Sequence, residues 1–160
     1  MRLALSRLLL LCLLLTACGG GDPFVAEYVT DRPNEAVLPG VYHFKWQTLT
    51  DDDPADFQGA RITVEIRADG SFSAENLPLW RETTAGQYQL ERLATLNGNW
   101  RIEARGVVAD GDSFRDIWTL NLGQPAGRTH LTKAAAPHGL LFQYGTPHSG
   151  DVMYFEQDTP

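Results

Sequence analysis

The sequence predicts an all-β domain, and three observations carry that prediction. Apolar and polar residues alternate with period two through most of the chain after Gly40. Asp-Gly pairs and other turn residues separate the alternating runs. The runs are short and evenly spaced. Strict alternation marks half-buried strands, an Asp-Gly turn between two such runs marks a hairpin, and about eight short strands at regular spacing suggest a barrel or sandwich. Short polar connections make neighbours in sequence into neighbours in space. A small antiparallel up-and-down barrel is therefore the expected architecture, since closure removes reactive sheet edges.

Each element has its own justification. Residues 41–47 place Tyr42, Phe44 and Trp46 on one face, with His43 and Lys45 on the other. Residues 61–67 alternate Ile62, Val64 and Ile66 with Thr63 and Glu65; Ala68-Asp69-Gly70 turns the chain and Phe72 resumes the pattern. Residues 77–98 fit one short helix or a long β-connection equally well, because Leu90, Leu93 and Leu96 recur at helical intervals. In residues 99–105, Trp100, Ile102 and Ala104 stand opposite Arg101, Glu103 and Arg105. Asp110-Gly111 then turns into residues 114–122, where Phe114, Trp118, Leu120 and Leu122 share a face with Asp116. Residues 128–134, 139–144 and 152–156 supply the remaining strands.

The N-terminus carries a different signal. Arg2 and Arg7 precede or flank an apolar run over residues 8–15, which ends in Leu15-Thr16-Ala17-Cys18 before Gly19-Gly20-Gly21. A basic start, a short apolar stretch and small residues at a cut site describe a secretory signal. The run is shorter than the about 20 residues a bilayer span needs. Leucine, a small residue, alanine and cysteine at this distance resemble the lipobox of a bacterial lipoprotein signal peptide. That resemblance implies cleavage after Ala17 and lipidation of Cys18, with diacylglycerol on the thiol and an acyl chain such as palmitate on the amine. Two or three chains give a stable membrane attachment. Gly19, rather than aspartate, implies delivery to a periplasm-facing outer-membrane position in a Gram-negative source. The expected organisation is a signal peptide over 1–17, a lipidated N-terminus and tether over 18–39, and a β-barrel-like domain over 40–160. Phe24, Val25, Tyr28 and Val29 are apolar enough to add a short extra strand, which would shorten the free tether.

Composition then narrows the classes of function. Loss of Arg2 and Arg7 with the signal leaves eleven basic side chains against twenty acidic ones, a balance of −9. Such a net charge argues against nucleic acid and against a second electrostatic grip on anionic lipid. Both cysteines, Cys12 and Cys18, are accounted for by the signal and the anchor, so the domain has no disulfide, thiolate metal site or cysteine nucleophile. Four Trp, seven Phe and five Tyr supply a core instead.

No constellation announces catalysis. Asp51-Asp52-Asp53 with Asp56 lacks the ligand order of an EF-hand and reads as a solvated hairpin tip. His43, His130, His138 and His148 form no zinc-binding spacing and read as a scattered surface set. No nucleophile elbow, phosphate loop or dinucleotide fingerprint occurs. No catalytic residue, metal or cofactor is assigned. Asp116 stands out because alternation turns it toward the apolar face, where a lone charge is costly; Arg101, Arg105 or Arg128 are its expected partners.

Several motifs recur in one order: Asp69-Gly70-Ser71-Phe72, Asn76-Leu77-Pro78, Gly98-Asn99-Trp100, and residues 145–151 before Met153-Tyr154-Phe155. This order resembles a group of uncharacterised small bacterial lipoproteins, whose pattern is an Asp-Gly-x-Phe turn, a Leu-Pro, a Gly-x-Trp strand and a Gly-Asp-Pro-Asp loop before an aromatic strand. Thr146 and His148 stand where that group has acidic residues. The resemblance implies a meander of the lipocalin-like kind and brings no activity with it. The functional expectation is a non-catalytic, lipid-anchored envelope module that binds a small apolar ligand at the barrel mouth, with Trp80, Trp100, Trp118, Tyr144 and Asp116 as candidate contacts. The alternatives are a protein-interaction module steered toward a basic partner, such as an assembly factor or an inhibitor of an extracellular enzyme, and an envelope hydrolase.

Overall fold

The structure is a computed structural model that describes residues 24, 27–126, 128–146 and 149–158. The expected signal segment, Cys18 and His148 lie outside the described residues. Nine antiparallel strands form one sheet: β1 (Gly40–Gln47), β2 (Thr63–Ile66), β3 (Ser71–Glu82), β4 (Tyr88–Asn99), β5 (Arg101–Asp110), β6 (Ser113–Asn121), β7 (Arg128–Thr132), β8 (Gly139–Gln143) and β9 (Val152–Gln157). Two short 3-10 turns, Glu35–Val37 and Ala55–Phe57, accompany the strands. No helix among the described residues is long and apolar enough to cross a membrane.

The strand order is β4-β3-β2-β1-β9-β8-β7-β6-β5, an up-and-down meander in which the first and last strands pair at the centre. Its two edges, β4 and β5, are consecutive in sequence and separated by Trp100 alone. An odd number of alternating strands leaves these edges running the same way, so no antiparallel ladder joins them. The barrel-like sheet is not closed by hydrogen bonds among the described residues; the covalent step through Trp100 is what links its edges. A strand that crosses between sheet regions at such a corner needs a bend. Here the Trp100 backbone N–H donates to Gly70 O at 2.9 Å, and its indole Nε1–H donates to Arg67 O at 2.8 Å.

Inward side chains of the central strands build the core. Tyr42, Val64, Ile66, Leu120, Leu131, Leu140, Phe142, Met153 and Phe155 are all at most 2% exposed. The chain before β1 contributes as well. Residues 27–29 wedge between β6 and β7 beyond the last pair of their ladder, Thr119 with His130. Val29 N–H donates to Leu131 O at 2.9 Å, and Trp118 N–H donates to Val29 O at 3.0 Å. The following residues strap one end of the sheet, with Leu38 fully buried and the Tyr42 hydroxyl donating to its carbonyl at 2.8 Å.

Bulges account for the departures from simple alternation. The register shifts between Phe44 and Trp46, so Phe44 faces Phe155 but Trp46 faces Tyr154. Trp46 is therefore on the outer face, 39% exposed, and not beside Tyr42 as its position in the sequence suggests. Residues 77–98 hold no helix; they complete β3 and form β4. An extra residue at Glu91 places Leu90 opposite Trp80 and Leu93 opposite Pro78, so one strand face shows leucines three apart. His138, expected at the surface, is 3% exposed and its Nδ1 lies 2.9 Å from Lys133 O.

Candidate binding surfaces

The five candidate contact residues separate into three places. Trp80 and Tyr144 meet across the mouth, where they line a cleft of ≈ 260 Å³ with Leu79, Phe142, Gln143 and the 124–126 loop. Trp80 is half-buried, its indole N–H pointing at Met153 Sδ at 3.0 Å and its ring edge-on to Phe57 at 6.0 Å. Tyr144 stacks edge-on to Tyr88 at 5.8 Å, and burial pushes its hydroxyl well above the usual tyrosine range, with the neighbouring Tyr88 adding to the shift. Such a hydroxyl stays neutral and acts as a hydrogen-bonding group rather than a charge.

Trp100 and Trp118 are elsewhere. The Trp100 indole is committed to the corner described above. Trp118 lies under the Arg32 guanidinium, 5.4 Å from the ring centroid, a cation–π contact that closes the strap onto β6.

Asp116 shares the predicted face with Trp118 and Leu120 but is exposed, which corrects its expected burial. The reason is the length of the β5–β6 hairpin, whose outer half reaches past the core as an arm. Among its expected partners, Arg101 and Arg105 instead bind Glu103, at 3.4 Å and 3.2 Å. Arg128's side chain lies outside the described residues. Burial raises the Glu103 pKa, but bonds from Asn121 and Arg105 and the charge of Arg101 outweigh it, so the carboxyl titrates below its usual value.

The arm has two unlike faces. On one, Val108 packs into a small outer cluster with Tyr28, Ile117, Leu141 and Val152, while Arg115 donates to Asp31 at 2.6 Å. The other face carries the cross-strand pairs Val107–Asp116 and Ala109–Phe114. Phe114 is 75% exposed and Val107 57% exposed. A bulge at Arg105-Gly106, with Gly106 at φ +88°, separates this stretch from the charged first half of β5. The strand edge over Gly106-Val107-Val108-Ala109 bears no charge, whereas edge strands are normally blunted by charged side chains. The arm was not legible as a site: an exposed phenylalanine beside a turn has the same sequence pattern as a buried one.

A third surface lies on the outer face of β1, β8 and β9. Trp46 stacks on Tyr154 at 5.2 Å and on Phe24 at 6.0 Å. With Leu141, Thr132 and Glu27 these rings line a groove of ≈ 270 Å³. Among the described residues, no three His, Cys, Asp or Glu side chains come together as metal donors. No family model matches the chain, and no curated protein or solved structure matches it.

Proposed function

We propose that this is a non-catalytic protein-interaction module, held in the bacterial envelope by lipid on Cys18 and, in a Gram-negative source, facing the periplasm from the outer membrane. The compartment rests on the N-terminal signal read above. One observation supports the interaction reading: the outer half of the β5–β6 arm joins an uncharged strand edge to exposed Val107 and Phe114. An extended partner segment adding to such an edge gains main-chain hydrogen bonds, and its alternate side chains take specificity from the face beside it. Asp110, Asp112 and Asp116 are exposed on this arm, so the favoured segment is apolar with basic flanks.

Site-specific photocrosslinking in the native envelope tests this. A crosslinker at Phe114 should give a discrete adduct that Val107→Asp abolishes, while one at Thr95 on the opposite edge strand should give none. Equal or absent labelling at both positions argues against the arm as a docking edge.

The mouth cleft supports a second reading, a small apolar ligand between Trp80 and Tyr144. The volume is at or below the range typical of small-molecule pockets, about 300–1,000 Å³, and Phe142 and Phe155 fill the interior beneath it. Native mass spectrometry of protein purified from its own envelope separates the readings. A bound small mass that leaves on denaturation and is lost in Trp80→Ala supports the ligand; a bare mass favours the arm.

A further inference from the structure

We propose that the outer face formed by Phe24, Trp46 and Tyr154 rests on the lipid interface beside the N-terminal anchor. The proposal rests on the reading of Cys18 as acylated. Phe24 lies six residue steps after Cys18, and a fully extended chain covers at most about 3.6 Å per step. The anchor therefore holds Phe24 within about 20 Å of the lipid. Phe24 is not free to swing away, because its ring packs on Trp46 and it belongs to the outer cluster of Tyr28, Ile117, Leu141 and Val152. A short leash attached at this face brings this face, rather than the mouth, nearest the membrane.

The composition of the face agrees with that placement. Trp and Tyr are the side chains enriched at membrane–water interfaces, and Trp46 and Tyr154 stand side by side with Trp46 39% exposed. The chain has two lysines, Lys45 and Lys133, and both border this face. Lys45 precedes Trp46, and Lys133 follows Thr132 in the groove wall; both reach Glu156, Lys45 at 3.6 Å and Lys133 by a direct hydrogen bond. Lysine stems lie along apolar surface while their ammonium groups reach for water or phosphate, and each lysine near an anionic leaflet favours contact. In a domain with a balance of −9 after signal loss, both lysines lie beside the aromatic groove where the anchor arrives.

The test uses the mature full chain reconstituted in vesicles of phosphatidylethanolamine and phosphatidylglycerol, brominated high on the acyl chains. Tryptophan emission should fall relative to unbrominated vesicles, and Trp46→Phe, with an unchanged circular dichroism spectrum, should lose most of that fall. Equal quenching in both proteins, or none in either, overturns the proposal. Mass spectrometry of the N-terminal peptide from the same sample distinguishes the causes. An acylated peptide with unquenched Trp46 leaves the anchor standing and removes the face; an unacylated peptide removes both. Shielding of Trp46 that rises with protein concentration in detergent identifies a second copy as the occupant and also overturns the proposal.

Discussion

Gly98 sits opposite Phe72 in the β3–β4 ladder, and the phenyl ring lies over it. A methyl group at Gly98 would stand 2.7 Å from Phe72 Cε1, 3.3 Å from Cζ and 3.6 Å from Cδ1. Carbon atoms prefer about 3.5–4.0 Å, so the ring must retreat by about 1 Å. It has little room to do so, since Phe72 is 3% exposed within the core. Overpacking of this kind costs about 1–3 kcal/mol. The backbone of Gly98 is not left-handed, so alanine itself returns about 0.5–1 kcal/mol by stiffening the unfolded chain. Gly98→Ala should therefore destabilise by about 1 kcal/mol, and by no more than about 2.5 kcal/mol. With a urea slope of about 1–3 kcal/mol per molar, a loss of about 1 kcal/mol lowers the unfolding midpoint by about 0.3–1 M. The same substitution in a Phe72→Leu background should cost less, giving a positive coupling in the double-mutant cycle. A stabilising Gly98→Ala, or an identical effect in both backgrounds, refutes the ring-on-glycine packing.

Other substitutions read other parts of the structure. Trp100→Phe removes the indole bond to Arg67 O and should cost about 1–2 kcal/mol in urea unfolding. Leu38→Ala empties a fully buried site in the strap and should cost about 2–5 kcal/mol, a loss a free tether would not show. Phe114→Ser should change stability by less than about 0.5 kcal/mol while removing the crosslinked adduct. Glu103 titrates below its ordinary 4.5 in the folded state, so its stabilisation is complete above that value and is lost as pH falls through the lower folded value. Glu103→Gln should accordingly flatten the stability loss as the pH falls below the ordinary carboxylate value of 4.5.

Period-two alternation located most strands because the central ones have one face in the core and one toward solvent. It failed where a residue is inserted into the ladder. Neither Lys45 nor Glu91 carries a local sign of a bulge, yet the first turns Trp46 outward and the second brings Leu90 and Leu93 to one face of β4, while Leu96 packs on the core from the other. Alternation also sees only direction. It placed Asp116 on the right face but could not show that the core ends before reaching it. The Asp-Gly-x-Phe and Gly-x-Trp motifs were legible as motifs, and their geometry explains their company. Gly70 O accepts from Trp100 N–H, and Phe72 covers Gly98, so the two segments build one corner at the step between the sheet's edges. Of the candidate contacts, Trp80 and Tyr144 converge because β3 and the end of β8 face each other across the mouth. Trp100 and Trp118 are spent on the corner and the strap.

The edge of β5 tests the interaction module most directly. Amide hydrogen exchange over residues 106–110 should be fast in the purified protein, since β5 is an edge strand with no buried side chain. In the intact envelope the account predicts slowed exchange over these residues, with no matching change over β4. Equally fast exchange at the β5 edge in the envelope and in the purified protein would contradict it.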